Sequence, residues 1–136
     1  MEREYLAAAM ALSVVDDLHK FAEHSMMVIG DLNVGATDAS KNGTDLDVDA
    51  MGSGASGDRY DETHALLGEG LVHGLQMKNL TIGVGETYDS TDFPGTGPID
   101  NIYVTGADED KFEDAEKSSS TFGSDHFAVS TVYEMD

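Results

Sequence analysis

Three short segments carry residues able to do chemistry together: Asp31 and Asn33 in Gly30-Asp31-Leu32-Asn33, Asp100 in Pro98-Ile99-Asp100-Asn101-Ile102, and Asp125 and His126 in Gly123-Ser124-Asp125-His126-Phe127. Phosphoester cleavage is the chemistry they suit. A phosphodiester is anionic and repels hydroxide, so its hydrolysis needs a cation on the phosphoryl oxygens, a base beside water and donors aimed at the developing charge. Carboxylate and amide oxygens suit Mg2+ or Mn2+, which are hard ions. An aspartate beside a histidine fixes the imidazole tautomer and raises its basicity. Taken singly, each segment reads as something plainer: Asp31 and Asn33 as a turn whose side chains bond their own backbone, Asp125 as another turn residue, Asp100 as a solvated charge at a strand start. Only the joint pattern points to chemistry.

Other constellations fail on their own requirements. An EF-hand loop needs Gly at its sixth position and Glu at its twelfth. Starting from Asp31 those positions hold Ala36 and Asn42, and starting from Asp45 they hold Ala50 and Ser56. Asp45, Asp47 and Asp49 therefore read as a solvated acidic loop, with loose calcium or counter-ion binding as the alternative. The glycines from Gly52 to Gly57 lack the lysine of a phosphate-binding P-loop, and Ser124 is not in a G-x-S-x-G elbow. His19, His24, His64 and His73 show no metal-ligand spacing and read as surface or packing residues.

The elements that must position the candidates follow from hydrophobic periodicity. Leu6, Met10, Val14, Leu18 and Phe21 recur at helical spacing and predict an amphipathic helix over about 3–24, packed on a sheet. Met26-Met27-Val28-Ile29 is a short continuous apolar run stopped by Gly30-Asp31, which predicts a buried strand with Asp31 at its C-terminal end. Residues 35–61 are rich in Gly, Asp, Ser, Thr and Asn and read as a long loop, a sign of function or of disorder. Ala65-Leu66-Leu67 reads as helix, and residues 99–104 and 126–133 read as strands from their β-branched and aromatic content. No repeat, heptad or proline-rich linker is visible.

At 136 residues the chain fits one domain. Its 27 acidic against 7 basic residues give a net charge of −20, spread along the whole length. Self-repulsion at that density opposes folding in dilute buffer, and salt relieves it. Halophilic character is the expectation, with a melting temperature that rises between dilute buffer and molar KCl as its measure. The scattered lysines and arginines form no basic stripe of the kind that displaces counterions from nucleic acid. The absence of cysteine rules out disulfides and thiolate zinc sites. The start of the chain is acidic and amphipathic, unlike a secretory signal, and the longest apolar stretch, Tyr5 to Leu12, is too short to span a bilayer. A cytoplasmic protein with no membrane span is expected.

In their order, and each at a strand end, the three segments resemble the G-D-x-N, I-D-x-I and S-D-H motifs of the endonuclease/exonuclease/phosphatase family. Thr87-Tyr88 is similar to that family's threonine-aromatic pair, and the helix at 3–24 stands where the family has one, so the resemblance covers nearly the whole chain. It implies an α+β fold, the C-terminal half of a four-layer α/β/β/α sandwich (DNase I-like), with one mainly antiparallel or mixed sheet and flanking helices. It implies a phosphoester hydrolase using Mg2+ or Mn2+ on nucleic acid or a small phosphoester. By the resemblance, Asp31 orients or activates water, and Asn33 bonds the phosphate or supports the metal. Asp125 lies at the metal with Asp31 and Asn33, while His126, oriented by Asp100, is general base or phosphate-stabilising donor. The family's N-terminal half supplies an asparagine, a glutamate and usually another histidine that have no counterpart here. The resemblance therefore implies a separate N-terminal half, self-association through the sheet, or a truncated product. The contrasting reading is a non-catalytic acidic domain that keeps the fold and binds cations or proteins.

Overall fold

A computed structural model describes residues 2–21, 24–32, 63–89, 98–105 and 110–135. Helix α1 spans Glu2–Lys20, with His19 and Lys20 in its last turn, where positive charge complements the helix dipole. Its inner face is Ala7, Ala11 and Val14, all buried, with Met10, Val15 and Leu18 packed beside them. That stripe lies one residue round from the predicted one, and Leu6 and Phe21 are exposed. The small side chains at positions 7 and 11 explain the rotation, because they let the helix axis approach its neighbours closely.

Strand β1 (Met27–Asp31), strand β2 (Met77–Asn79) and strand β3 (Asp100–Thr105) form an antiparallel sheet in the order β1-β3-β2. β3 is central and buried along nearly its whole length. On one face, Tyr103 and Met77 meet Ala11 and Val14 of α1, Leu67 of α2 (Thr63–Gly68) and Leu75, and these make the core cluster. The buried Asn101 is satisfied locally: its Oδ1 accepts from Asn79 Nδ2 (2.9 Å), and its Nδ2 donates to Ile99 O (2.9 Å).

β1 differs from the buried strand that its apolar run predicts. It is an edge strand whose residues alternate, Val28 packing on the core and Ile29 standing 61% exposed. Four apolar residues in a row cannot report whether one face or both will be covered.

A second antiparallel pair, β4 (Glu116–Lys117) and β5 (Val129–Ser130), forms a hairpin, with β5 against β3. The long strand expected over 126–133 is broken up. His126 bridges to Tyr88, residues 129–130 pair with β4, and Tyr133 bridges to Phe112. The segment meets three partners in turn within eight residues. The described residues are thus α+β with two small antiparallel sheets. Among them, no helix is long and apolar enough to cross a membrane.

Candidate active site

Strand register places the first two candidate residues. β1 and β3 pair from Met27 opposite Val104 to Asp31 opposite Asp100, so the two aspartates are cross-strand neighbours on one face at one end of the sheet. Leu32 N donates to Ile99 O (3.0 Å), extending the pairing just past them. Like charges directly opposite each other destabilise a sheet, and the pair is kept in contact all the same.

His126 arrives from far along the chain and is fitted by Thr87. The buried Thr87 hydroxyl oxygen accepts from both Ile99 N and Asp100 N (3.1 Å each), while its carbonyl accepts from Phe127 N (2.7 Å). One residue therefore grips the backbone at Asp100 and the backbone beside His126. Asp89 N to Asp125 O (2.8 Å) continues the same antiparallel run, and His126 N donates to Ser124 Oγ (3.1 Å). Lys117 Nζ donates to Glu86 O (2.8 Å) and lies 4.5 Å from the centre of the Phe127 ring, tying β4 to both edges of that run.

Within this frame His126 Nδ1 donates to Asp100 Oδ2 at 2.8 Å, and the Tyr88 ring lies 5.1 Å from the imidazole, centre to centre. A ligand atom from each of Asp31, Asp100 and His126 lies within 4.8 Å of the others. The hydrogen bond to Asp100 raises the His126 pKa above the usual histidine value. Partial burial works against the rise, and the charges of Asp100, Asp31 and Asp125 add to it. Because the Asp100 carboxylate can only accept, the proton sits on Nδ1, and Nε2 is the ring nitrogen that Asp100 does not engage.

Of the expected metal-binding residues, Asp31 is in this cluster and Asp125 is not. Asp125 is exposed, is not among the three clustered residues, and adds to the His126 shift through its charge. Asn33 and the acidic loop 35–61 lie outside the described residues. The sequence shows Thr87-Tyr88 but not what Thr87 does, because a residue whose hydroxyl grips one distant backbone and whose carbonyl grips another leaves no local pattern. His64 is buried and hydrogen-bonds through Nδ1 to the Tyr103 hydroxyl, a packing role, whereas His19, His24 and His73 are exposed. A groove of about 380 Å³ lined by Val15, Leu18, His73 and Gln76 among others shares no residue with the cluster and contains no carboxylate.

The donor set can be tested against a divalent ion. Two oxygens bound to one Mg2+ at about 2.1 Å lie at most about 4.2 Å apart, so donors within 4.8 Å need only a small side-chain adjustment. The two carboxylates are oxygen donors of the kind that Mg2+ and Mn2+ prefer, and the imidazole is engaged with Asp100 through Nδ1. No family model matches the chain, and no curated protein and no solved structure matches it significantly.

Proposed function

We propose that this chain carries the Asp31–Asp100–His126 part of a metal-dependent phosphoester hydrolase site of the endonuclease/exonuclease/phosphatase kind. The observation that supports it is the convergence, in one place, of three residues from segments far apart in sequence, with Asp100 holding His126 through Nδ1. Asp31 and Asp100 would hold Mg2+ or Mn2+, and such an ion, when bound, supplies positive charge to the phosphoryl oxygens. Asp100 orients the imidazole and stabilises its charged form. His126 presents Nε2, and the hydrogen bond to Asp100 that raises its pKa favours its protonated form, so it acts as a hydrogen-bond and proton donor to the phosphate. Asp31, exposed at the end of β1, accepts a hydrogen bond from the attacking water and orients it.

The substrate is a phosphodiester or phosphomonoester. Two carboxylates and one histidine form a sparse site, so full activity draws on further residues, supplied by a separate N-terminal half or a second copy of the chain. The test is hydrolysis of a chromogenic phosphodiester in molar KCl, with and without Mn2+, by the chain and its His126→Ala variant. Turnover that requires both Mn2+ and His126 is the expected result, and equal turnover by the variant overturns the assignment. The high acidity supports a second reading, a cation-binding domain without catalysis. Calorimetric Mn2+ binding that needs Asp31 and Asp100, with no turnover even beside an added N-terminal half, would establish it.

A further inference from the structure

One aromatic ring stands against the imidazole of His126, and the backbone puts it there. Phe127 N donates to Thr87 O (2.7 Å) and Asp89 N to Asp125 O (2.8 Å). These two bonds flank an antiparallel bridge between Tyr88 and His126, so the bridged residues are themselves a non-hydrogen-bonded pair. In such a pair the Cα atoms come within about 4.5 Å and the side chains stand next to each other on one face. The result here is a ring–ring contact, 5.1 Å between centres with the planes tilted by 57°. Tyr88 is half-buried, and both of its chain neighbours are tied: Thr87 to Ile99, Asp100 and Phe127, and Asp89 to Asp125. Its ring therefore springs from a fixed piece of backbone.

The imidazole needs such a neighbour. Its hydrogen bond from Nδ1 to Asp100 Oδ2 (2.8 Å) holds one atom of the ring. Rocking about that bond remains open, because the histidine χ2 wells are broad, and the side chain is 28% exposed, which leaves space for the movement. Each such excursion swings Nε2 away from the direction in which Asp100 sets it.

We propose that Tyr88 is a positioning residue: its ring walls the imidazole of His126, so that Nε2 keeps one direction while Nδ1 stays on Asp100. That Nε2 then meets a phosphate rests on the phosphoester reading above, whereas the walling itself does not. The ring carries the role and the hydroxyl does not, because the contact that restrains the imidazole is between the two ring systems. A reacting group displaced by about 1 Å can lose about a hundredfold in rate. A wall that removes this freedom acts on turnover without touching substrate.

The test compares the full chain in molar KCl with its Tyr88→Phe and Tyr88→Ala variants, with far-UV circular dichroism and melting temperature checking the fold. In metal-free protein, the Nδ1 proton of His126 should give a sharp downfield resonance in the unsubstituted chain and in Tyr88→Phe. In Tyr88→Ala it should be broadened or absent. In Mn2+-dependent hydrolysis of the chromogenic phosphodiester, Tyr88→Ala should lower kcat about ten- to a hundredfold with KM nearly unchanged, and Tyr88→Phe should restore it. Because Tyr88 acts through His126, adding Tyr88→Ala to His126→Ala should lower turnover no further. A sharp resonance in folded Tyr88→Ala, or none in the unsubstituted chain, overturns the proposal. So does a turnover in Tyr88→Phe as low as in Tyr88→Ala, or an undiminished Tyr88 effect when His126 is absent. The resonance is read separately from turnover, so its loss in Tyr88→Ala with no hydrolysis by any chain removes the hydrolase reading and keeps the role of Tyr88. Hydrolysis with a resonance that Tyr88→Ala leaves unchanged does the reverse.

Discussion

The α1-facing core and the Thr87–His126 region are built on different physics. Around Tyr103, stability comes mainly from apolar burial: Ala11, Val14, Leu67 and Met77 pack round a ring whose hydroxyl is hydrogen-bonded to His64. Around His126 the chain is mostly exposed or half-buried, and position is set by hydrogen bonds that the hydroxyls of Thr87, Ser118 and Ser124 accept from backbone N–H groups. A protein that must keep charged side chains near solvent cannot hold them by burial, because removing a charge from water is expensive unless it is paired. Discrete polar clamps serve there instead. The comparison implies that the two regions fail differently when damaged.

The sharpest contrast is between His126→Ala and Tyr103→Ala. The first should lower Mn2+-dependent hydrolysis by about two to four orders of magnitude and leave the melting temperature nearly unchanged, since the histidine is only partly buried. The second removes a large buried ring, costs about 3–5 kcal/mol, and should lower the denaturant midpoint steeply, with turnover lost only in proportion to unfolding. A His126→Ala variant as unstable as Tyr103→Ala would erase the distinction between the regions.

Thr87 lies between these extremes. Thr87→Val keeps the shape and removes the hydroxyl, leaving the Ile99 and Asp100 amides without their shared acceptor, a loss of about 1–3 kcal/mol. It should also weaken the Asp100–His126 hydrogen bond, seen as broadening or loss of the downfield Nδ1 proton resonance. Thr87→Ser should restore both the stability and the resonance. A Thr87→Val variant that is destabilised but keeps the resonance would make Thr87 structural only.

The smallest effect is the pH dependence. The folded-state pKa of His126 lies above its ordinary value of about 6.5. The stabilisation from Asp100 is therefore fully present below that pH and fades as the pH rises through the raised value. Donor-dependent turnover should fade over the same window. Solvent screening keeps the stability change small, so it should appear only as a slight downward drift of melting temperature with pH. Asp100→Asn should flatten that drift.

Local pattern carried much of the fold. The helical spacing of Met10, Val14 and Leu18, the apolar run at 26–29, and the β-branched run at 99–104 each report an element through its nearest neighbours, and each element forms close to its expected place. Asp31 at the end of β1 and Asp100 at the start of β3 follow directly. Their meeting was less visible, since it depends on an antiparallel register that pairs residues 69 positions apart, Asp31 with Asp100.

Resemblance to short motifs nominated Asp31, Asp100 and His126, and periodicity the helix and strands around them, because both signals lie within a few residues of sequence. Tertiary structure alone decided that β1 is an edge with one open face, that residues 126–133 change partner instead of forming one strand, that Asp125 stays outside the cluster, and that Thr87 ties Asp100 to the backbone beside His126. Each of these depends on what lies across the sheet or at the far end of a hydrogen bond. That information is spread over distant segments and takes effect only when the chain brings them together.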